Sequence, residues 1–165
     1  MKRNQFIKSM GLAAWITPAM VQRISIETEL PLDKALVAEF VGAAHRDKSK
    51  IEVLLQEHPT LLNAAHDWGQ GDFETALGAA SHVGYFELVE YLVAKGAQTN
   101  IFTACLFGKM EIVKPILTAF PASLNAKGPH GFTPLHHAIN GGDKTLEVKA
   151  YLESLGAVEK KIPLY

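Results

Sequence analysis

The chain has 165 residues, of which 48% are hydrophobic and 20% charged, which is ordinary for one folded, soluble domain. Its 16 basic and 17 acidic residues give a formal net charge of −1, which excludes the net positive charge that drives nonspecific binding to nucleic acid. The single cysteine, Cys105, excludes an internal disulfide and a multi-cysteine zinc site.

The first segment in chain order, residues 1–24, is predicted to be an export leader. It has a basic start, and its apolar run from Met10 to Val21 is of signal-peptide length, well short of the roughly 20 residues of a membrane helix. Residues 3–8 resemble the bacterial twin-arginine signal, with Asn4 in place of the second arginine, while a general secretory signal needs only the charge and the apolar run. We expect an exported, periplasmic protein without a stable membrane span; the alternative is a cytoplasmic protein whose N-terminal helix caps the first repeat.

Residues 33–158 carry a repeated pattern of helix pairs. The clearest second helix, Gly84 to Asn100, reads Gly-x-x-Glu-apolar-Val, then an apolar pair and an outgoing Gly-Ala. Copies begin at Gly108 and Leu146, and a fainter copy covers residues 51–55. Four helix pairs are therefore predicted, more than the roughly three that a repeat stack needs, because one pair cannot bury its apolar face alone.

Projecting loops, or fingers, are expected before some of these pairs. The first finger spans residues 63–75 and the later finger spans residues 125–133, so the first is four residues longer. Between Asn100 and Ile101 the chain moves almost directly into the next helix. The third pair is therefore predicted to lack a projecting hairpin.

Residues 131–138, Gly-Phe-Thr-Pro-Leu-His-His-Ala, match the ankyrin signature Thr-Pro-Leu-His-x-Ala without departure. Thr133 suits a helix N-cap, as Thr75 does in the second pair, and Pro134 suits the first helical position. The chain resembles the ankyrin-repeat family, and in particular short, exported, single-domain ankyrin proteins of bacteria. The resemblance implies an all-α solenoid of about four helix pairs with short β-hairpin fingers, followed by a C-terminal tail over residues 159–165. It also implies that His136 is structural and hydrogen-bonds backbone to steady the neighbouring unit.

The resemblance implies a protein that binds another protein and catalyses no reaction. We also expect a monomer with no cofactor, no metal and no nucleic-acid partner. Repeat stacks bind with a concave surface built from finger tips and exposed positions of the first helices. The candidate partner-binding residues on this surface are Asp67, Trp68, Asp72, Phe73, His82, Val83, Leu106, Phe107, His137 and Asn140. Leu106 and Phe107 are large apolar residues at positions that usually face solvent; the alternative is that they pack in place of the missing finger.

Trp68 is expected near the tip of the first finger. Exposed aromatic residues ringed by polar groups concentrate interface energy, so Trp68 is the predicted main anchor. The alternative is that Trp68 folds back onto the first helices and Phe73 fills the core beneath it.

A metal-assisted hydrolase or a ligand-binding site is the alternative function. The first finger carries four potential metal ligands, His66, Asp67, Asp72 and Glu74, and His82 could lie over them. The ligands do not have a recognised zinc-site or calcium-loop spacing, and an aspartate followed by glycines is also typical of a hairpin turn. Protein binding is therefore preferred. Cys105, at a position of small residues in the repeat, is predicted to be an inert buried thiol.

Overall fold

The computed structural model describes residues 30–165, so the leader predicted for residues 1–24 lies outside the described residues. Eight α-helices lie in the described part of the chain, and they form the four predicted consecutive pairs. Their bounds are α1 Lys34–Ala43, α2 Lys48–Glu57, α3 Ala76–His82, α4 Phe86–Ala94, α5 Ile101–Leu106, α6 Met110–Ala119, α7 Pro134–Asn140 and α8 Leu146–Ser154. Short 3-10 turns cover Pro59–Asn63, Pro121–Asn125, Pro129–Gly131 and Gly142–Thr145.

A polar N-cap begins the first helix of every pair, because a side-chain oxygen can satisfy backbone N–H groups that the helix leaves free. Thr75 Oγ1 accepts from Gly78 N at 3.1 Å, and Thr133 Oγ1 accepts from His136 N at 3.4 Å. Both predicted caps are thereby confirmed. The other two caps are Asp33 and Asn100.

The first finger is an antiparallel hairpin of β1, Ala65–Asp67, and β2, Phe73–Thr75. In its register His66 lies opposite Glu74. The later finger has no such hairpin in the described residues. It contains the turn at Pro129–Gly131, and its Phe132 forms an isolated antiparallel bridge with Lys161 of the C-terminal tail.

The C-terminal tail completes the later finger. Thr133 N donates to Lys160 O at 3.1 Å, and Ile162 N donates to Gly131 O at 2.9 Å. A Cβ at Gly131, whose φ is +79°, would overlap the carbonyl oxygen of Ile162. The tail thus lies against the repeat domain and helps to hold the loop that contains His130.

The third pair lacks a finger, as predicted. After α4 ends at Ala94, a short loop leads to Asn100, whose side chain caps α5. Buried side chains form two clusters: one belongs to pairs one and two and includes Leu106 of α5, and the other belongs to pairs three and four. Helix α3 contacts both α5 and α7, so the stack stays continuous across the missing finger.

None of the helices in residues 30–165 is long and apolar enough to cross a membrane.

Candidate functional site

Four side chains from four parts of the stack meet beside the first finger. His45 lies in the turn after α1, Glu74 on β2, His82 at the end of α3, and His130 in the later finger. One nitrogen or oxygen of each lies within 4.8 Å of those of the other three. These four residues are called the histidine cluster below.

The ring nitrogens of the histidine cluster surround the Glu74 carboxylate. His82 Nε2 lies 2.9 Å from Glu74 Oε1 and 3.1 Å from His45 Nε2. Glu74 Oε2 lies 3.6 Å from His45 Nε2 and 3.5 Å from His130 Nε2. Three imidazole nitrogens thus converge on one carboxylate.

Two of the rings are fixed from their outer side. His45 Nδ1 lies 3.2 Å from the carbonyl oxygen of Gly42, and His130 Nδ1 lies 2.7 Å from Asp72 Oδ2. A carbonyl or an ionised carboxylate only accepts hydrogen bonds, so Nδ1 of each ring is the donor. In the neutral rings, Nε2 of His45 and of His130 therefore presents a lone pair towards the cluster.

Glu74 is buried, with only 1% of its surface exposed. Trp68 Nε1–H donates to its Oε2 at 2.7 Å. Its Oε1 accepts no hydrogen bond in the described residues, although His82 Nε2 lies 2.9 Å away. Burial by itself would raise the pKa of Glu74, but the contacts with His82 and Trp68 and the charge of His45 lower it overall.

Asp72 joins the two fingers. Its carboxylate accepts from the backbone N–H of His130 at 2.8 Å and from the ring Nδ1 at 2.7 Å. Burial opposes ionisation, yet these two bonds lower the pKa of Asp72 overall. They also hold His130 in a left-handed conformation, with φ +57°, that few non-glycine residues adopt.

The second pair and the fourth pair are linked around His82. Its carbonyl oxygen accepts from His136 Nε2 at 2.8 Å and from the Asn140 amide at 2.6 Å. The predicted structural role of His136 is therefore confirmed. The Phe132 ring is sandwiched between the rings of His82 and His136, with centroids 5.0 and 4.0 Å away.

Three of the predicted partner-binding residues are exposed apolar side chains: Phe73 is 62% exposed, Val83 43% and Trp68 42%. For Leu106 the packing alternative is confirmed and the solvent-facing expectation is wrong, because its side chain is fully buried in the core of pairs one and two. His137 is also buried, with Phe102 against its ring and its Nδ1 donating to Thr133 O.

The remaining predicted positions have structural partners as well. His82 is buried in the histidine cluster, which removes it from the exposed surface. Phe107 is half-buried and meets the Phe86 ring edge-on at 5.5 Å. It also lines an apolar groove of about 510 Å³ between α4 and α6. Asn140 is half-buried.

Trp68 combines features of both sequence-based alternatives. Its ring meets His66 edge-on at 4.4 Å, and a Cβ built on Gly42 of α1 would lie 3.8 Å from it. The ring therefore does fold back onto the first helix while remaining partly exposed. The accompanying expectation that Phe73 fills the core is wrong, since Phe73 is the more exposed of the two.

The predicted metal-ligand set on the first finger is only partly assembled. Glu74 belongs to the histidine cluster and Asp72 supports it, but Asp67 instead accepts from Gly69 N and Gly71 N, at 2.9 and 3.1 Å, as a hairpin turn requires. His66 packs against Trp68. The sequence-predicted ligand set included neither His45 nor His130; the missing finger of the third pair was the available signal, since it makes the two remaining fingers neighbours.

Cys105 is fully buried, and burial raises the pKa of its thiol to about 12. A thiol with such a pKa is protonated at neutral pH and a poor nucleophile. The prediction that Cys105 is buried is confirmed, and its low reactivity stays a prediction.

A family model for ankyrin repeats, in three copies, matches residues 40–157, which is 118 of the 165 residues. The chain belongs to the ankyrin-repeat family. Repeats of this kind are generally protein–protein interaction modules and are typically non-catalytic. A comparison with curated protein sequences gives no significant match.

Proposed function

We propose that this chain is a non-catalytic, monomeric protein-interaction module whose main contact surface is the outer face of the first finger. The observation that carries the proposal is the Phe73 ring, which is 62% exposed on a hairpin rather than buried in the core. Consecutive residues of a strand point to opposite faces. Glu74 lies on the inner face of β2, within the histidine cluster, so Phe73 lies on the outer face.

The first finger is held in place, which favours its use in binding. Asp67 closes the hairpin turn through two backbone hydrogen bonds, and Asp72 attaches the finger to His130. A contact residue on a fixed element loses less conformational entropy on binding than one on a mobile loop. Phe73 therefore combines aromatic area, exposure and a fixed position, as residues that dominate interface energies do.

Site-specific photo-crosslinking tests this surface. A photoreactive phenylalanine analogue is placed at position 73 or, as the matched control, at position 120, where Phe120 is 66% exposed after α6. We expect a discrete adduct with one host protein from position 73 and none from position 120. The adduct identified by mass spectrometry supplies the partner for binding measurements.

Affinity for that purified partner gives the quantitative test. Phe73→Ala should lose about 2 kcal/mol of binding free energy, or roughly 30-fold in Kd, as for an aromatic hot spot. Phe120→Ala should bind like the wild type. Equal adducts at both positions, or an unchanged Kd for Phe73→Ala, would contradict the proposal.

We expect the partner to lie in the periplasm. This remains a prediction from the basic start and apolar run of residues 1–24. Intact-mass spectrometry of the protein from its native host tests it: a mature form that has lost the leader supports export, and a cytosolic form that begins at Met1 contradicts it.

A further inference from the structure

The histidine cluster contains the donor atoms that zinc prefers. His45, His82 and His130 offer three imidazole nitrogens, and Glu74 offers a carboxylate oxygen. Zn²⁺ binds these groups with tetrahedral geometry at about 2.0–2.1 Å, which puts neighbouring ligand atoms about 3.3 Å apart. Four contacts within the cluster measure 2.9 to 3.6 Å, near that distance, and the four ligand atoms all lie within 4.8 Å of one another.

The outer contacts of the cluster orient its rings as they are oriented in metal sites. A metal-bound histidine usually donates its other ring N–H to a carbonyl or a carboxylate, which fixes its orientation and makes the ligand more basic. His45 does this with Gly42, and His130 does it with Asp72. Their Nε2 lone pairs lie 3.6 and 3.5 Å from Glu74 Oε2, and a cation between these groups would offset the repulsion.

Glu74 supplies an independent observation. Its buried Oε1 accepts no hydrogen bond in the described residues and has His82 Nε2 2.9 Å away, while its Oε2 accepts from Trp68. A buried carboxylate oxygen without a partner is costly, and such orphaned groups often mark the place of an ion. One doubly charged cation would also balance the two carboxylates, Glu74 at the centre and Asp72 behind His130.

We propose that His45, His82, His130 and Glu74 bind one Zn²⁺ ion, which joins the first finger, the first two helix pairs and the later finger. Four protein ligands make a closed site of the structural kind, without the open position that hydrolytic zinc sites keep for water. The ion stabilises the fold, because the unfolded chain does not bring these distant residues together. It therefore reinforces the direct contact between the two fingers that Asp72 and His130 already make.

Calorimetry on the full folded chain provides the direct test. The protein is first stripped with a chelator, and its fold is checked by circular dichroism. Titration with zinc chloride should show one ion per chain and a raised melting temperature. Mg²⁺ and Ca²⁺ should not compete, because these hard ions prefer oxygen ligands.

Two variants separate the cluster from nonspecific binding. His130→Asn removes one ligand but keeps a residue that tolerates the left-handed backbone and can still donate to Asp72. It should lose at least 100-fold in zinc affinity. His66→Asn removes a histidine on the same finger that lies outside the cluster, and it should bind like the wild type.

Cobalt gives a readout of geometry. Co²⁺ in place of zinc should give the intense visible absorption of a tetrahedral complex and should quench the fluorescence of Trp68, whose ring centroid is 6.4 Å from that of His130. Failure of the folded, stripped protein to bind Zn²⁺ would overturn the proposal. Equal affinity in wild type and His130→Asn, or a weakly absorbing octahedral cobalt spectrum, would overturn it as well.

Discussion

The hydrogen bond from Trp68 to buried Glu74 predicts a measurable loss of stability when the indole N–H is removed. Trp68→Phe keeps an aromatic ring against Gly42 and His66 but leaves Glu74 Oε2 without its 2.7 Å donor. Hydrogen bonds to charged groups contribute about 1.5–3 kcal/mol. We therefore expect Trp68→Phe to lower the free energy of unfolding by about 2 kcal/mol.

Trp68→Ala adds the loss of the ring itself. The side chain is 42% exposed, so a little over half of its surface is buried. Removing about 100 Å² of buried apolar area costs about 2.5 kcal/mol at 25 cal/mol per Å². Together with the lost hydrogen bond, the expected cost of Trp68→Ala is about 4–5 kcal/mol.

Urea denaturation followed by circular dichroism measures both variants, with a chelator present so that metal binding does not contribute. Phe73→Ala is the matched control on the same finger, and it should change stability by no more than about 0.5 kcal/mol because the ring is exposed. If Trp68→Phe is as stable as the wild type, the bond to Glu74 stabilises nothing. If Trp68→Ala is also fully stable but loses the partner, Trp68 acts as the interface anchor instead.

Three further changes test the scaffold. Thr133→Ala should lower the free energy of unfolding by about 1 kcal/mol through the lost cap, or more because Thr133 Oγ1 also donates to Glu159 O at 2.6 Å; an unchanged urea midpoint would contradict this. Cys105 should resist thiol reagents at pH 7 until the chain unfolds, because burial raises its pKa to about 12; rapid labelling of the native protein would contradict it. His137 has its pKa lowered from 6.5 to about 4, first by burial and then by repulsion from neighbouring histidines, so the unfolded chain binds the proton more readily between these values. The contribution of the neutral His137 ring to the free energy of unfolding is complete above about pH 6.5, and about 3 kcal/mol is lost as the pH falls towards 4. In urea denaturation at pH 7 and pH 4, His137→Asn should therefore lose correspondingly less free energy of unfolding between the two pH values than the wild type. An equal loss in the two proteins would contradict the assignment.

Local patterns explain why much of the fold could be predicted. Residues close together in sequence, where the repeat pattern is clear, determine the caps at Thr75 and Thr133 and the four helix pairs. The missing finger was also predictable, because an absent segment shortens the spacing between copies. His136 followed from the repeat signature, since its bond to a backbone carbonyl is part of how repeats are joined.

The burial of α5 and α7 side chains could not be read from the same pattern. Leu106 and His137 occupy positions that a regular stack exposes, but here α5 packs between α3 and α7 without a finger of its own. Leu106 consequently joins the core of pairs one and two, and His137 is covered by Phe102. Exposure at these positions depends on how neighbouring pairs are placed, which single-repeat patterns do not specify.

The same missing finger explains the histidine cluster. With no finger before α5, the first finger meets the later one directly, and Asp72 binds His130, 58 residues further along the chain. This contact brings His130 beside Glu74, which shares its strand with Phe73 but points to the opposite face. The inner face of β2 is thus occupied by the cluster, while the outer face remains available to a partner.

This arrangement predicts that zinc strengthens partner binding without touching the partner. An ion on the inner face should restrict the motion of β2, and each side chain already ordered before association spares about 0.5–1.5 kcal/mol of entropy. We expect the Kd of the purified partner to improve by roughly 2- to 10-fold on addition of zinc to the stripped protein. His130→Asn should show the weaker affinity with and without zinc, whereas His66→Asn should respond like the wild type. If zinc binds to the cluster but the partner's Kd stays the same, the bonds of Asp67 and Asp72 already hold the finger rigid, and the two faces of β2 act independently.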